Sequence, residues 1–370
     1  MAISTIGPTG LSSAVGQIGK NMVTNGNFSV TQRGTLTGLG AATAAISADQ
    51  WKFFVETTAA RFTTSVVAAT TAMIADGVAN RLKVDVTTVD SSMAGSDFIG
   101  VEQRFEGQHL QHLLYGTAGA KELTVTFWFQ SPKSGTHHVY LVQNDGNSGC
   151  PMTFTVASAD TAEKFSVTFP ALTTSGQDFD NDTAWSMSLG FPILSHGYES
   201  TANQWNAGGT WRSSSAQQNL ADNTANNIFI GGVQLEVGGV ATDFEQEPFS
   251  VTLAKCHRYL YILGGDTLTQ NDSTVTGGMA LDADTARFIL HYPTRMRTTP
   301  TFSMNDDAEF YIAGPNGAGK VSDAGPANVA LNAYSLRFEC DRTDGEMTAG
   351  FATQMYHVNQ TGIITVTAEV

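Results

Sequence analysis

Between Asn21 and about Phe249 the chain runs as short stretches in which apolar and polar side chains alternate. Leu82, Val84 and Val86 are parted by Lys83 and Asp85, and Leu123, Val125, Phe127 and Phe129 by threonines and Trp128. Met152, Phe154 and Val156 follow, then Phe165, Val167 and Phe169, then Met187, Leu189 and Phe191. Ile228 and Ile230, and finally Val233, Leu235 and Val237, close the series. Period-two alternation gives a strand one buried face and one wet face. Many such strands, parted by Gly, Asn and Asp turns, predict an antiparallel sandwich, and no βαβ rhythm competes with it. Helical pattern is scarce: Glu106–Tyr115 and Phe249–Tyr261 are the two short candidates, the second at a change of composition and read as a connector between domains. Strand patterning resumes over 262–370, with Tyr334, Leu336, Phe338 and Cys340 and then Ile364, Val366 and Ala368 on alternate positions. The expectation is an all-β chain with three parts. An extended arm occupies 1–20, a large β-sandwich 21–249, and a second, smaller β-sandwich-like domain 250–370.

Composition narrows the class. Charged residues are 14% of the chain, well below the roughly 25% of an ordinary soluble domain, and Thr, Ser, Asn, Gln and Gly replace them. A surface hydrated by hydroxyls and amides suits a long-stranded β-protein of the extracellular or virion kind. The net charge of −15 and the lack of any Lys/Arg run exclude the basic stripe with which proteins grip nucleic acid. Cys150, Cys256 and Cys340 are odd in number and far apart, so they read as buried thiols rather than a disulfide framework. The segment 1–20 lacks the basic start and apolar core of a secretory signal, and no apolar run of about 20 residues predicts membrane insertion.

Motifs that would carry catalysis fail on inspection. Gly314–Lys320 has the outline of a phosphate-binding loop, but Val321 stands where a Ser or Thr should hold magnesium. Asp178, Asp180 and Asp182 are spaced like the start of a calcium loop, yet Thr183 and Leu189 occupy the positions of its Gly and Glu. A loose calcium site stays open there without being assigned, and no cofactor is expected. His109 with His112, and His137 with His138, lack the third ligand of a zinc site. No nucleophile elbow or nameable acid pair exists, so no catalytic residue is assigned.

One stretch is different. Ser195–Gln218 crowds Tyr198, Trp205 and Trp211 into polar, Gly-bearing sequence without alternation. A pyranose presents an apolar C–H face and a rim of hydroxyls, so a sugar site pairs a flat ring with amide and guanidinium partners. Asn203, Gln204, Asn206 and Arg212 supply such partners, which makes these seven residues the candidate carbohydrate contacts. The competing reading is that the tryptophans fold back to cap the sandwich, as large aromatics in long loops do. Trp51 and Trp128 lie in strand-like runs and read as packing residues.

Several segments resemble bacteriophage tail-fibre and prophage structural proteins. Asn21–Thr35 (NMVTNGNFSVTQRGT) resembles their N-x-x-x-NG-x-F-x-x-x-QRG opening, and Ala48–Phe53 (ADQWKF) the ADRW that follows, with Gln50 in place of Arg. Gln103–Glu106 and Thr126–Phe129 resemble the family's centre. Gly232–Tyr261 resembles its G-x-QLE-x-G-x-x-AT-x-FE-x-x-P…C-x-RYY closing segment, departing at Leu253 and Leu260. The resemblance covers roughly residues 21–261. It implies a jelly roll of the galactose-binding type, related to carbohydrate-binding modules, followed by a distal receptor-facing or trimer-forming part. It further implies a virion fibre or spike subunit, assembled in the host cytoplasm and released by lysis. Such a subunit is a homotrimer, docks on other virion proteins through its arm, and binds host polysaccharide or lipopolysaccharide during adsorption. A purely structural piece, such as a capsid decoration or head fibre, is the alternative, and a polysaccharide depolymerase a more distant one.

Overall fold

A computed structural model describes residues 19–40, 44–209, 211–264, 273–304, 310–321, 325–357 and 362–369. The arm expected over 1–20 lies outside the described residues except for Gly19 and Lys20. The chain divides into two compact units, Met1–Thr252 and Leu253–Val370.

The first unit is an antiparallel jelly-roll β-sandwich of two six-stranded sheets. Sheet A runs in the order β1 (Leu36–Leu39), β3 (Arg61–Ala68), β4 (Asn80–Thr88), β12 (Asn227–Val237), β6 (Leu123–Gln130), β9 (Glu163–Phe169). Sheet B runs β11 (Asn206–Ala207), β8 (Ser148–Val156), β7 (Gly135–Gln143), β10 (Trp185–Ser195), β5 (Phe98–Glu106), β2 (Trp51–Val55). The chain keeps passing from one sheet to the other, so the alternating runs place most of their apolar residues between the layers. Leu82, Val84, Val125, Phe127, Leu189, Phe191, Ile230 and Leu235 are all fully buried there. Phe127 sits at the centre, 5.0 Å from the ring of Phe154, 4.9 Å from Phe191 and 5.6 Å from Phe165. Each such side chain contributes about 1.5–3 kcal/mol by leaving water.

The segments that resemble the phage family hold the fold together. The Asn21 carboxamide accepts from the N–H groups of Val23 and Leu235, each at 3.0 Å, and donates to the Val233 carbonyl. Gln103 exchanges bonds with both backbone groups of Thr24, at 2.8 and 2.7 Å. Asn25 does the same with Val30 and also reaches the Asp49 carbonyl at 3.0 Å. Gly26 lies so close to β12 that a Cβ there would sit 2.0 Å from the Val233 oxygen. Gln234 and Glu236 then fix the exit from β12, the first accepting from the Glu245 N–H and the second from Thr242.

The second unit is also a two-sheet β structure. Three strands, β13 (Leu260–Gly264), β22 (Ile363–Thr367) and β16 (Thr301–Met304), form one sheet. The other has seven: β18 (Gly317–Lys320), β17 (Phe310–Gly314), β21 (Ala352–His357), β14 (Ser273–Ala280), β15 (Thr285–His291), β20 (Ser335–Asp341) and β19 (Ala327–Leu331). Phe288, Phe310, Ile312, Phe338, Ile364 and Val366 make its core. The stretch resembling a phosphate loop is the β17–β18 hairpin, closed by pairing of Gly314 with Gly317.

Some expectations need correction. Glu106–Tyr115 is two 3₁₀ turns, Gly107–His109 and Gln111–Leu113, ended by Leu114 at φ 53°. The buried pair Leu110 and Leu113 is spaced by three, which matches the 3₁₀ repeat. The helix expected over Phe249–Tyr261 stops at His257, spanning Phe249–His257, and Leu260 already belongs to β13. Val237 is exposed at the end of β12, and Tyr334 is exposed in the turn before β20, where the Asn332 carboxamide accepts its N–H. All three cysteines are buried and outside any disulfide, and burial pushes the Cys150 thiol up to about 12.

Candidate functional site

The face of sheet B turned away from the core should be wet and polar in a simple sandwich. Here it is a second, aromatic layer. Register places Gly149 (β8), Val142 (β7), Ser188 (β10) and Arg104 (β5) side by side in one row. The adjoining row holds Tyr140, Gly190 and Glu102. Phe98, Tyr140, Val142 and Trp211 pack into a cluster of their own, with Phe54, Trp185 and Tyr198 half-buried around it.

What covers this face is the segment 196–219. It leaves β10 at Ser195, pairs as β11 with the edge of β8 through Asn206↔Gly149 and Ala207↔Ser148, and recrosses the sheet before Leu220 enters the core. Two glycines make room for the rings. A Cβ on Gly149 would lie 2.1 Å from the Trp211 Cβ, and one on Gly190 would lie 2.3 Å from the Tyr140 hydroxyl. His138 fastens the return crossing, its ring nitrogens 3.0 Å from Gln217 Oε1 and 2.9 Å from Ser214 Oγ. Burial depresses the His138 pKa, so the imidazole is held neutral, with one nitrogen donating to Gln217 and the other accepting from Ser214.

A buried carboxylate organises the charges. Glu102 accepts from the Tyr140 hydroxyl at 3.0 Å and from Arg104 Nε at 2.8 Å, with Arg212 Nε 4.0 Å away. Burial beside Glu102 keeps the Tyr140 phenol protonated, its pKa well above the usual value. Arg212 is 3% exposed and lies 3.6 Å over the Phe54 ring, while Arg104 lies 3.7 Å over Trp185. Tyr198 is pushed up to about 12 by burial and by its hydrogen bond to Glu56. Three polar atoms in this layer are buried without a hydrogen-bond partner: Ser188 Oγ, Trp211 Nε1 and Trp185 Nε1.

The seven candidate contacts divide. Tyr198, Trp211 and Arg212 come together on this face, Trp211 being 7% exposed. Trp205 does not join them. It packs against the main core, donates 2.7 Å to the Pro170 carbonyl and meets the Tyr115 ring edge-on at 5.7 Å. Asn203 and Asn206 act as loop fasteners. Asn203 Oδ1 accepts from the Thr153 N–H at 2.9 Å, and Asn206 Nδ2 donates to the Thr201 and Gln204 carbonyls at 2.8 Å each. Gln204 contributes that backbone carbonyl and is otherwise exposed. The residues that sequence reasoning missed are Phe54, Phe98, Glu102, Arg104, Tyr140, Trp185 and Ser188. Their signal was aromatic and charged side chains at the non-core positions of β2, β5, β7 and β10. Among the described residues no group of three or more His, Cys, Asp or Glu is placed to hold a metal ion, and Asp182 spends Oδ1 on the Ala184 N–H.

No family model matches the chain, and no curated protein matches it. Solved structures that share its outline include a family 4 carbohydrate-binding module, 12% identical over 58% of this chain and 97% of that one, with a TM-score of 0.27. A family 11 module of a Clostridium thermocellum cellulosomal cellulase is 12% identical over 55% and 95%, with a TM-score of 0.27. TmCBM61 in complex with β-1,4-galactotriose is 11% identical over 59% and 98%, with a TM-score of 0.26. These likenesses are shallow in sequence and in superposition, and neither fold nor function rests on them.

Proposed function

We propose that the protein is a glycan-binding subunit of a virion appendage, and that the outer face of sheet B receives the sugar. The observation that carries this is the aromatic layer on that face, with half-buried Trp185 and Tyr198 beside a guanidinium–carboxylate set. Flat rings suit the C–H face of a pyranose, and fixed N–H and O–H groups suit its hydroxyl rim. The appendage part of the reading rests on the sequence segments that resemble phage tail-fibre proteins. It includes a homotrimer, attachment through 1–20 and adsorption to host polysaccharide or lipopolysaccharide.

A glycan array and a host-adsorption assay with Trp185→Ala and Tyr198→Ala test the reading. Both variants should lose at least tenfold in binding while melting near the parent temperature. Trp205→Ala, on the core side, should melt lower but, where folded, bind as the parent does. Undiminished binding by the first two variants would sink the assignment. The second reading is a purely structural virion piece, and the near-complete burial of Trp211 and Arg212 favours it. On that reading no variant alters adsorption except by unfolding.

A further inference from the structure

We infer that the turn 214–218 is a strap across β7 that opens in mild acid, when His138 takes up a proton, while both sheets stay folded. The strap is a conformational device of the fold and does not depend on the glycan reading.

It is bounded at both ends and lightly held between them. Upstream, the Ser213 and Ser195 hydroxyls meet at 2.6 Å, and downstream Asn219 Nδ2 donates 2.8 Å to the Asp90 carbonyl. Among the described residues, no backbone group of 214–218 bonds to a strand of sheet B. The Gln217 N–H turns back to the Ser214 carbonyl at 3.0 Å, and Ser215 and Ala216 are exposed. Side chains alone tie the turn to the sheet. His138 bonds Gln217 Oε1 and Ser214 Oγ, and Gln217 Nε2 reaches the Pro192 carbonyl at 3.4 Å. The imidazole carries the two short ties, and the remaining one is long.

The same ring is a poor place for a charge. His138 is 1% exposed. Burial disfavours its proton more than the bond to Gln217 favours it, and the adjacent His137 adds to the burial effect. No carboxylate bonds to it. β8 sets Thr153 opposite His138, and the titratable group of that strand is the buried Cys150. β10 carries no titratable side chain over Trp185–Ser195. β7 adds His137, packed on Phe129 and Phe154 in the core, and Tyr140, bonded to Glu102. The covering segment adds exposed His196 and Glu199, half-buried Tyr198 and the buried Arg212 cation. Lys133, in the turn before β7, is paired with Asp222 at 2.5 Å.

Protonation makes both ring nitrogens donors, so the Ser214 hydroxyl loses its place as donor and the charge is buried without an acidic partner. Lifting the turn gives the imidazolium water, whereas unfolding the sandwich would expose a whole core. Opening is the smaller rearrangement. With the strap open, His138 binds its proton near pH 6.5, and with it closed only at lower pH. The closed form is therefore fully favoured above that pH and loses ground as the pH falls below it.

Amide exchange in the full chain, parent and His138→Gln, tests the strap. From pH 7.5 to about 5.5, protection of the Ala216 and Gln217 N–H groups, corrected for intrinsic exchange, should fall at least threefold. The fall should be insensitive to sub-denaturing urea, unlike exchange at Leu189 in β10, which requires global unfolding. In His138→Gln it should vanish. No fall, a fall sharing the urea dependence of Leu189, or one that persists in the variant overturns the strap. Should the variant fail to fold, the ring resonances of His138 in the parent decide. Their titration midpoint should lie below pH 6.5 and coincide with the loss of protection. A midpoint at or above that value, or out of step with the exchange, overturns the inference.

Discussion

His138 shows how much one side chain decides in this layer. Burial also lowers the pKa of its neighbour His137, so both rings stay neutral in the folded chain. Once unfolded, each takes up a proton near pH 6.5. The unfolded state then binds more protons, and stability rises with pH through that region. Acidification from pH 7.5 to about 5.5 should therefore lower the melting temperature, and His138→Gln should flatten part of that slope. A melting temperature constant across the interval would contradict the neutral assignment. Trp211 offers a second measure. As a buried tryptophan, its replacement by Ala should cost about 3–5 kcal/mol in denaturant titration. Gly190→Ala should cost about 1–3 kcal/mol, because the methyl group displaces the Tyr140 ring from Glu102.

The strands were legible because period-two alternation is the direct imprint of a sandwich with one dry face. Where both faces are dry the imprint vanishes. In β5, Phe98–Glu106, every residue but Arg104 is buried, so the Glu102–Arg104 pair carried no mark distinguishing it from packing. The candidate site escaped reading for the same reason, since it is assembled from β2, β5, β7, β8, β10 and a loop that meet only in three dimensions. Trp205 and Trp211 lie six residues apart in one candidate stretch, yet β11 intervenes and the two rings end on opposite sides of sheet B, so the capping alternative describes Trp205. The polar residues of the segments Asn21–Thr35, Gln103–Glu106 and Gly232–Tyr261 serve the architecture. Asn21, Asn25, Gln103, Gln234 and Glu236 bind backbone rather than facing solvent. Asn21→Ala removes bonds to both Val233 and Leu235. It should cost about 1–3 kcal/mol and accelerate amide exchange at Leu235 more than in β9. Uniform exchange across both strands would deny Asn21 that role.

For the molecule as a whole, an acidic chain with 14% charged residues relies on hydroxyl and amide hydration. The proposed trimer is checked by light scattering of the purified chain, with an expected mass about three times 39.3 kDa. A stable monomer at micromolar concentration would contradict it. The covering segment 196–219 has a further consequence. Its two ends are tied to neighbouring points, Ser195 to Ser213 at 2.6 Å and the Leu220 N–H to the Ile193 carbonyl at 2.9 Å, while Gly208 and Gly209 are exposed. A loop anchored at its base tolerates change at its exposed tip and not at the buried rings beside it. Inserting a few residues between Gly208 and Gly209 should leave both sheets folded as before, whereas exchanging the whole span would strip the buried Trp211 and Arg212 from sheet B.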